Sequence, residues 1–240
     1  MSFIITLYVR EGIVMASDSR LTLNVTQQQE DKQIIQAAVG QSDSNYKTFL
    51  ATNNIGISTY GAADIKGVPI AGDIESFISE ELSEDQYEVD EVPKKLLDYF
   101  KKFPGPLDIQ FHVAGYRTEN NQRAQHVWHI AVSKDLINRK NPPDQQGASW
   151  GGVADVLARL VQPVGTLDNA GKLDQALPHF QIPWGFFTLQ DAIDYAAYAV
   201  KVTIDTIRFQ PRPKTVGGAV DVLVIKPDDA IWVQRKELHG

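Results

Sequence analysis

Phe3-Ile4-Ile5-Thr6-Leu7-Tyr8-Val9 runs into the charged turn Arg10-Glu11-Gly12, and Gly12-Ile13-Val14-Met15-Ala16-Ser17-Asp18-Ser19-Arg20 follows at once. Two short runs rich in β-branched and aromatic residues, separated by a tight turn, predict a β-hairpin. Ser2 stands just ahead of the first run, so it is expected at the mouth of a sheet. A small residue after Met1 permits removal of the methionine, which would leave a serine carrying both a hydroxyl and a free α-amine. With an ordinary pKa of about 7.7–8.0, that amine is partly neutral near pH 7 and is able to accept the hydroxyl proton as attack begins. Many chains begin Met-Ser without catalytic consequence, so Ser2 takes its weight from the hairpin behind it.

At 240 residues and 43% hydrophobic content, the chain is able to bury one sizeable core, and a single domain spanning 1–240 is expected. The formal net charge is −7 and the basic residues are scattered, which argues against a nucleic-acid partner. Cysteine is absent, excluding disulfides, thiolate metal sites and cysteine nucleophiles. The opening apolar run is broken by Arg10 and Glu11 and lacks a basic leader, and no stretch reaches the ~20 apolar residues of a membrane span. A soluble, cytoplasmic protein without membrane association is expected, and the sequon at Asn24-Val25-Thr26 reads as incidental.

Residues 21–45 are polar and Gln-rich around the apolar patch Ile34-Ile35-Gln36-Ala37-Ala38-Val39, and predict a long loop or extended hairpin insert. Tyr46-Lys47-Thr48-Phe49-Leu50-Ala51-Thr52 and Ile55-Gly56-Ile57-Ser58-Thr59-Tyr60 predict two strands about an Asn53-Asn54 turn. Beyond Gly61-Ala62-Ala63-Asp64, Ile70, Ile74, Phe77, Ile78 and Leu82 recur at helical spacing, and Val92, Leu96, Leu97 and Phe100 repeat the pattern. The acid-rich stretch of residues 75–91 reads as a solvated helix face. Strands return over residues 108–116 and 125–132. Two further helices are marked by Val153, Val156, Leu157, Leu160 and Val161, and by Leu189, Ile193, Ala196, Val200 and Ile204. Thr188 and Asp191 offer a capping-box start for the second of these. Residues 217–225 and Ala230-Ile231-Trp232-Val233 close the chain as a strand pair turned at Lys226-Pro227-Asp228-Asp229. Helices grouped between runs of antiparallel strands predict an α+β fold of two packed sheets with helices outside.

Several pieces, in order, resemble the proteasome β-subunit family of N-terminal-nucleophile hydrolases. Gly12-Ile13-Val14-Met15-Ala16-Ser17-Asp18-Ser19-Arg20 resembles that family's G-V-V-L-A-A-D-S-R segment, and counting back to the mature terminus reaches Ser2. Asn54-Ile55-Gly56-Ile57-Ser58-Thr59-Tyr60-Gly61-Ala62-Ala63-Asp64 resembles the strand and glycine turn before its first helix. Val216-Gly217-Gly218-Ala219-Val220-Asp221-Val222 resembles its late S-G-G-x-x-D-V segment.

The resemblance implies a four-layer αββα sandwich and a peptidase or amidohydrolase without cofactor or metal. It also implies a homo-oligomer, ringed or stacked, acting on a peptide or amide substrate; an ATPase partner is left open. Residue by residue, it implies Ser2 as nucleophile with its own amine as base. Lys47 would stand beside the hydroxyl, Asp18 would hold Lys47, and the Gly61 N–H would meet the oxyanion. Arg20 is implied to pair with carboxylates behind the site, and Ser149, ahead of Trp150-Gly151-Gly152, to support it. Lys47 and Gly61 keep the family's mutual spacing, and Asp18 its spacing from Ser2. The chain departs from the pattern in having serine for threonine, a longer segment between Arg20 and Lys47, and Pro213 and Val216 where a supporting aspartate and serine are usual. Two other readings stay open: a catalytically silent assembly protein of the same fold, and a zinc site built from His112, His126 and His129 on neighbouring strands.

Overall fold

The structure is a computed structural model that describes residues 2–29, 32–83, 87–105 and 107–237, with side chains described outside residues 24–38. Met1, whose removal the serine chemistry requires, and residues 84–86 of the acid-rich stretch lie outside the described residues.

The opening stretch forms the expected hairpin, β1 (Phe3–Val9) and β2 (Gly12–Ser17), and every residue of both strands is buried. Residues 21–45 form the extended insert, with β3 (Leu21–Gln29) paired to β4 (Lys32–Ser42). β5 (Thr48–Thr52) and β6 (Ile55–Gly61) follow, and the short pair β7 (Asp64–Ile65) and β8 (Val68–Pro69) leads into α1 (Ile70–Glu81) and then α2 (Val92–Phe100). β9 (Ile109–Glu119) and β10 (Gln122–Ala131) are longer than their apolar cores suggest. Their turn residues Asn120 and Asn121 both take positive φ, 48° and 60°, the backbone that suits a two-residue hairpin.

The second half adds β11 (Leu136–Arg139) and β12 (Gly147–Gly152), neither marked by alternation, before α3 (Asp155–Val161). A small hairpin, β13 (Gly165–Leu167) and β14 (Leu173–Ala176), precedes α4 (Leu189–Phe209), and β15 (Asp221–Ile225) and β16 (Ala230–Gln234) follow. At the start of α4 the capping box forms as expected. Thr188 Oγ1 accepts the Asp191 N–H at 3.2 Å, and the Thr188 N–H donates to Asp191 Oδ2 at 2.9 Å. Two donors that the helix geometry leaves without intrahelical partners are thereby satisfied.

Two five-stranded antiparallel sheets carry the fold, ordered β12-β1-β2-β15-β16 and β11-β10-β9-β6-β5. β1 and β2 are central strands with apolar groups on both faces, which explains their unbroken hydrophobic runs. On one face Phe3, Ile5, Leu7 and Val14 pack against Ala192, Ala196, Ala199 and Val200 of α4. On the other, Tyr8, Ile13, Met15, Leu223 and Ile225 meet Ala114, Tyr116 and Val127 of the second sheet. A third apolar cluster joins Ile57, Ile109, Phe111 and Val113 to Ile74, Phe77, Leu96 and Phe100 of α1 and α2. Each fully buried Leu, Ile or Phe contributes roughly 1.5–3 kcal/mol. The chain is an α+β protein of antiparallel sheets and, among the described residues, four α-helices. No described helix is long and apolar enough to cross a membrane.

Candidate functional site

The head of β1 is held by its neighbours on both sides. The Ser2 carbonyl accepts the Val153 N–H at 2.8 Å, just past the end of β12. The Phe3 N–H donates to Asp18 Oδ1 at 3.0 Å, and the Phe3 carbonyl accepts the Asp18 N–H at 3.3 Å. Ser2 is thereby fixed opposite the loop that leaves β2, and it is 3% exposed.

Asp18 is the node of this region. Its fully buried carboxylate accepts four donors: the Phe3 N–H and the Lys47 ammonium on Oδ1, and the N–H groups of Arg20 (3.2 Å) and Gly217 (3.0 Å) on Oδ2. About four lone-pair sites are all a carboxylate has, so Asp18 is saturated. Lys47 reaches it from the residue before β5, with Nζ at 2.7 Å and a side chain 2% exposed. Burial holds the lysine below its ordinary range, against the opposing pull of Asp18. Among the described residues Lys47 Nζ makes this single hydrogen bond, which leaves two of its three donors for another acceptor. No hydrogen bond joins Ser2 to Lys47 among the described residues; what brings them into one region is Asp18, bonded to Lys47 and to the residue after Ser2.

Gly61 ends β6 with φ +98°, and a Cβ there would stand 2.3 Å from the Asp108 carbonyl oxygen, so no side chain is accommodated. It lines a cleft of about 540 Å³ together with Tyr60, Asp108, Gly152, Val153 and Asp155. Gly152 and Val153 are the residues against the Ser2 carbonyl, so the cleft runs from Gly61 to the rim of Ser2. Burial and the nearby Asp108 charge push Tyr60 up to about 12, leaving it a protonated phenol at neutral pH.

Arg20 pairs with a carboxylate as expected. Nε and Nη2 grip Asp43 at 2.6 and 2.7 Å, and Nη1 donates to the Lys214 carbonyl at 3.2 Å. The Asp43 hydrogen bond raises the guanidinium further and holds Asp43 below the usual carboxylate range. The guanidinium packs against Gly217, where a Cβ would come within 2.4 Å of its central carbon. The late glycine is therefore required by close approach, and its N–H is what reaches Asp18.

Ser149 is not brought to Ser2. It stands opposite Thr6 in the β1–β12 register, three residues up the strand from the Phe3–Gly152 pair, or about 10 Å. From there its hydroxyl faces His112 Nε2 at 3.4 Å, and Thr6 Oγ1 faces Nδ1 at 3.1 Å. Pro213 is exposed, and Val216 is buried in the apolar cluster under α4. Of the three histidines only two come together: His112 and His129 stand opposite each other across β9 and β10 with ring centroids 6.1 Å apart, and His126 is not with them. His126 contacts Glu119 at 2.8 Å and His129 contacts Gln110 at 2.9 Å. His126 and His129 are three apart on one strand and so point to opposite faces. No group of three metal-ligating side chains occurs among the described residues.

Two features of this region have no local sequence signal. A chain of hydroxyls bridges the sheets, with Thr48 Oγ1 2.9 Å from both Ser17 Oγ and Ser58 Oγ. A second buried ion pair, Asp221 with Lys236, stands beside the first. Compared with known proteins, the chain matches no protein-family model and no curated protein.

Proposed function

We propose that the chain is a proteasome-like N-terminal-nucleophile hydrolase, a four-layer αββα sandwich that cleaves a peptide or amide bond through an acyl-enzyme on Ser2. The observation that carries the reading is Asp18, which binds the buried Lys47 and the first residue of the strand headed by Ser2 with one carboxylate. The two apolar clusters under the helices and the third between the sheets support the layered arrangement.

In this reading Met1 is removed and the α-amine of Ser2 takes the Oγ proton as Oγ bonds to the amide carbon. The Lys47 ammonium favours the developing alkoxide and disfavours a proton on the neighbouring amine. The negative carbonyl oxygen is met by the Gly61 N–H, a donor worth about 3 kcal/mol at such a position. Collapse breaks the C–N bond, and the departing nitrogen takes the proton back from the α-amine. Water then repeats the sequence on the ester, releasing the acid and restoring Ser2. Arg20 acts from behind, bracing the Gly217 loop that feeds Asp18.

The test is intact mass and N-terminal sequencing of the protein from its own cells, then a peptide epoxyketone, an electrophile that engages a hydroxyl and its adjacent free amine together. Loss of Met1 with an adduct on Ser2, absent in Ser2→Ala, is expected. Retained Met1 and no adduct would sink the mechanism. That outcome would favour the silent assembly protein, a reading supported by Val216 in place of a supporting hydroxyl and by Ser149 turned to His112.

Assembly of several copies is part of the proposal. Leu167, Leu173, Phe180 and Phe186, between α3 and α4, are 65–87% exposed, an apolar display that suits a contact with further protein. Analytical ultracentrifugation showing a monomer at micromolar concentration would count against it.

A further inference from the structure

Asp221 opens β15 opposite Ser17 in register, one residue from Asp18. Its carboxylate is fully buried, and one residue takes both oxygens: Lys236 donates its backbone N–H to Oδ1 at 2.8 Å and its ammonium to Oδ2. Lys236 lies on the segment after β16, yet its side chain is only 6% exposed. Its Nζ sits 4.0 Å from the centroid of the Tyr46 ring, and Tyr46 is the residue before Lys47. Arg235 covers the same ring at 5.0 Å and Trp232 at 4.8 Å. The segment after β16 is thereby strapped over the approach to β5.

A buried ion pair is weak evidence for stability, because an apolar pair of the same volume often serves as well. This pair has a specific neighbour instead. The charged groups around Lys47 are Asp18 in contact, then Lys236 and Arg20, with Asp43 behind Arg20 and Asp221 behind Lys236. Burial is the largest influence against a proton on Lys47, Asp18 favours one, and Lys236 and Arg20 add smaller opposition; burial also holds Lys236 below its ordinary range, against the pull of Asp221.

We propose that Lys236 is a positioning residue for Lys47. Clamped on Asp221, it braces Tyr46 and the start of β5, and its ammonium adds to burial in limiting how far up the pH scale Lys47 keeps its proton beside Asp18. The inference rests on the reading of Lys47 as the working ammonium of the Ser2 site, and it adds a residue outside every segment that carries the proteasome resemblance.

Side-chain ¹⁵N NMR of Lys47 in the full chain tests it, for the wild type, Lys236→Met, Lys236→Arg and the double variant Lys236→Met/Asp221→Asn. Lys236→Met is expected to move the Lys47 titration midpoint up by about one pH unit, since a neighbouring like charge is lost. Lys236→Arg keeps the charge and should keep the wild-type midpoint. The double variant leaves no orphaned buried charge, so it guards against a misfolded single variant, and it should move the midpoint in the same direction by less. An unmoved midpoint in folded Lys236→Met or in the double variant overturns the proposal. So does a Lys236→Arg midpoint displaced as far as that of Lys236→Met. The alkaline limb of Ser2 acylation, followed with the epoxyketone, should track the Lys47 midpoint across the series, and a limb that stays in place while the midpoint moves overturns the link to the site. A wild type that is not acylated at any pH overturns the hydrolase reading alone, since the titration judges Lys236 without any activity.

Discussion

Removing either partner of the Asp18–Lys47 pair should have unequal effects, because the two are unequally supported. Lys47→Met leaves the carboxylate with three backbone N–H donors, from Phe3, Arg20 and Gly217. Asp18→Ala leaves those three donors and a buried ammonium all without an acceptor. We expect Asp18→Ala to cost about 3–5 kcal/mol and to lower Tm by about 10 °C. Lys47→Met should unfold at a temperature closer to wild type while losing about 100-fold or more in the rate of Ser2 acylation. Thermal melts read beside acylation rates check both, and equal destabilisation by the two variants would contradict the saturated-carboxylate account. Gly61 belongs to the same scale. Its positive φ and the Asp108 carbonyl forbid a side chain whatever its role in the chemistry, so Gly61→Ala should damage the fold as well as activity.

At the scale of the element, α4 is the helix whose start is written most plainly in the sequence. Thr188 and Asp191 close a capping box, and Ala192, Ala196, Ala199 and Val200 face the first sheet. Thr188→Ala should cost about 1 kcal/mol and lower Tm by about 2–4 °C, with Thr188→Ser close to wild type. β12 is the contrary case. Gly147-Ala148-Ser149-Trp150-Gly151-Gly152 has little β propensity and no alternation, yet it pairs with β1 along its whole length. Its strand character comes from the edge that β1 offers, and local pattern does not reveal such an edge. The same pairing decides what Ser149 touches. The hydroxyl is three residues from the end of the motif that suggested it as support, and the register carries it to His112.

For the molecule as a whole, the pH dependence of stability should be set on the acid side by histidines between the sheets. Burial pushes His112 down to about 3 and His129 down to about 4 from an ordinary 6.5. Between those values and about 6.5 the unfolded chain holds protons that the folded chain refuses, so stability rises with pH across that window. It is fully present above about pH 6.5 and is lost as pH falls toward 4 and then 3. Urea midpoints taken from pH 7.5 down to 4.5 should fall steadily, and His112→Gln should flatten the slope whatever it does to the absolute midpoint. A slope unchanged by His112→Gln would show that the acid sensitivity lies elsewhere.

Much of this protein was legible in the chain itself. The β1–β2 hairpin, the insert over residues 21–45, the β5–β6 pair and the four helices follow from periodicity, turn chemistry and caps, which act over a few residues at a time. Asp18, Lys47 and Gly61 are implied by the family resemblance and by no local pattern of their own, and Asp18 and Lys47 do meet. Tertiary structure alone decided that Ser149 turns to His112 and that His126 stands apart from the paired His112 and His129. It alone decided that Gly217 closes on Asp18 across 199 residues and that Lys236 comes back to Asp221. These contacts depend on strand register and on the docking of distant segments, where shifting one strand by a single residue sends a side chain to the other face of the sheet. Local pattern carries no record of that choice, because its energy comes from groups far away along the chain.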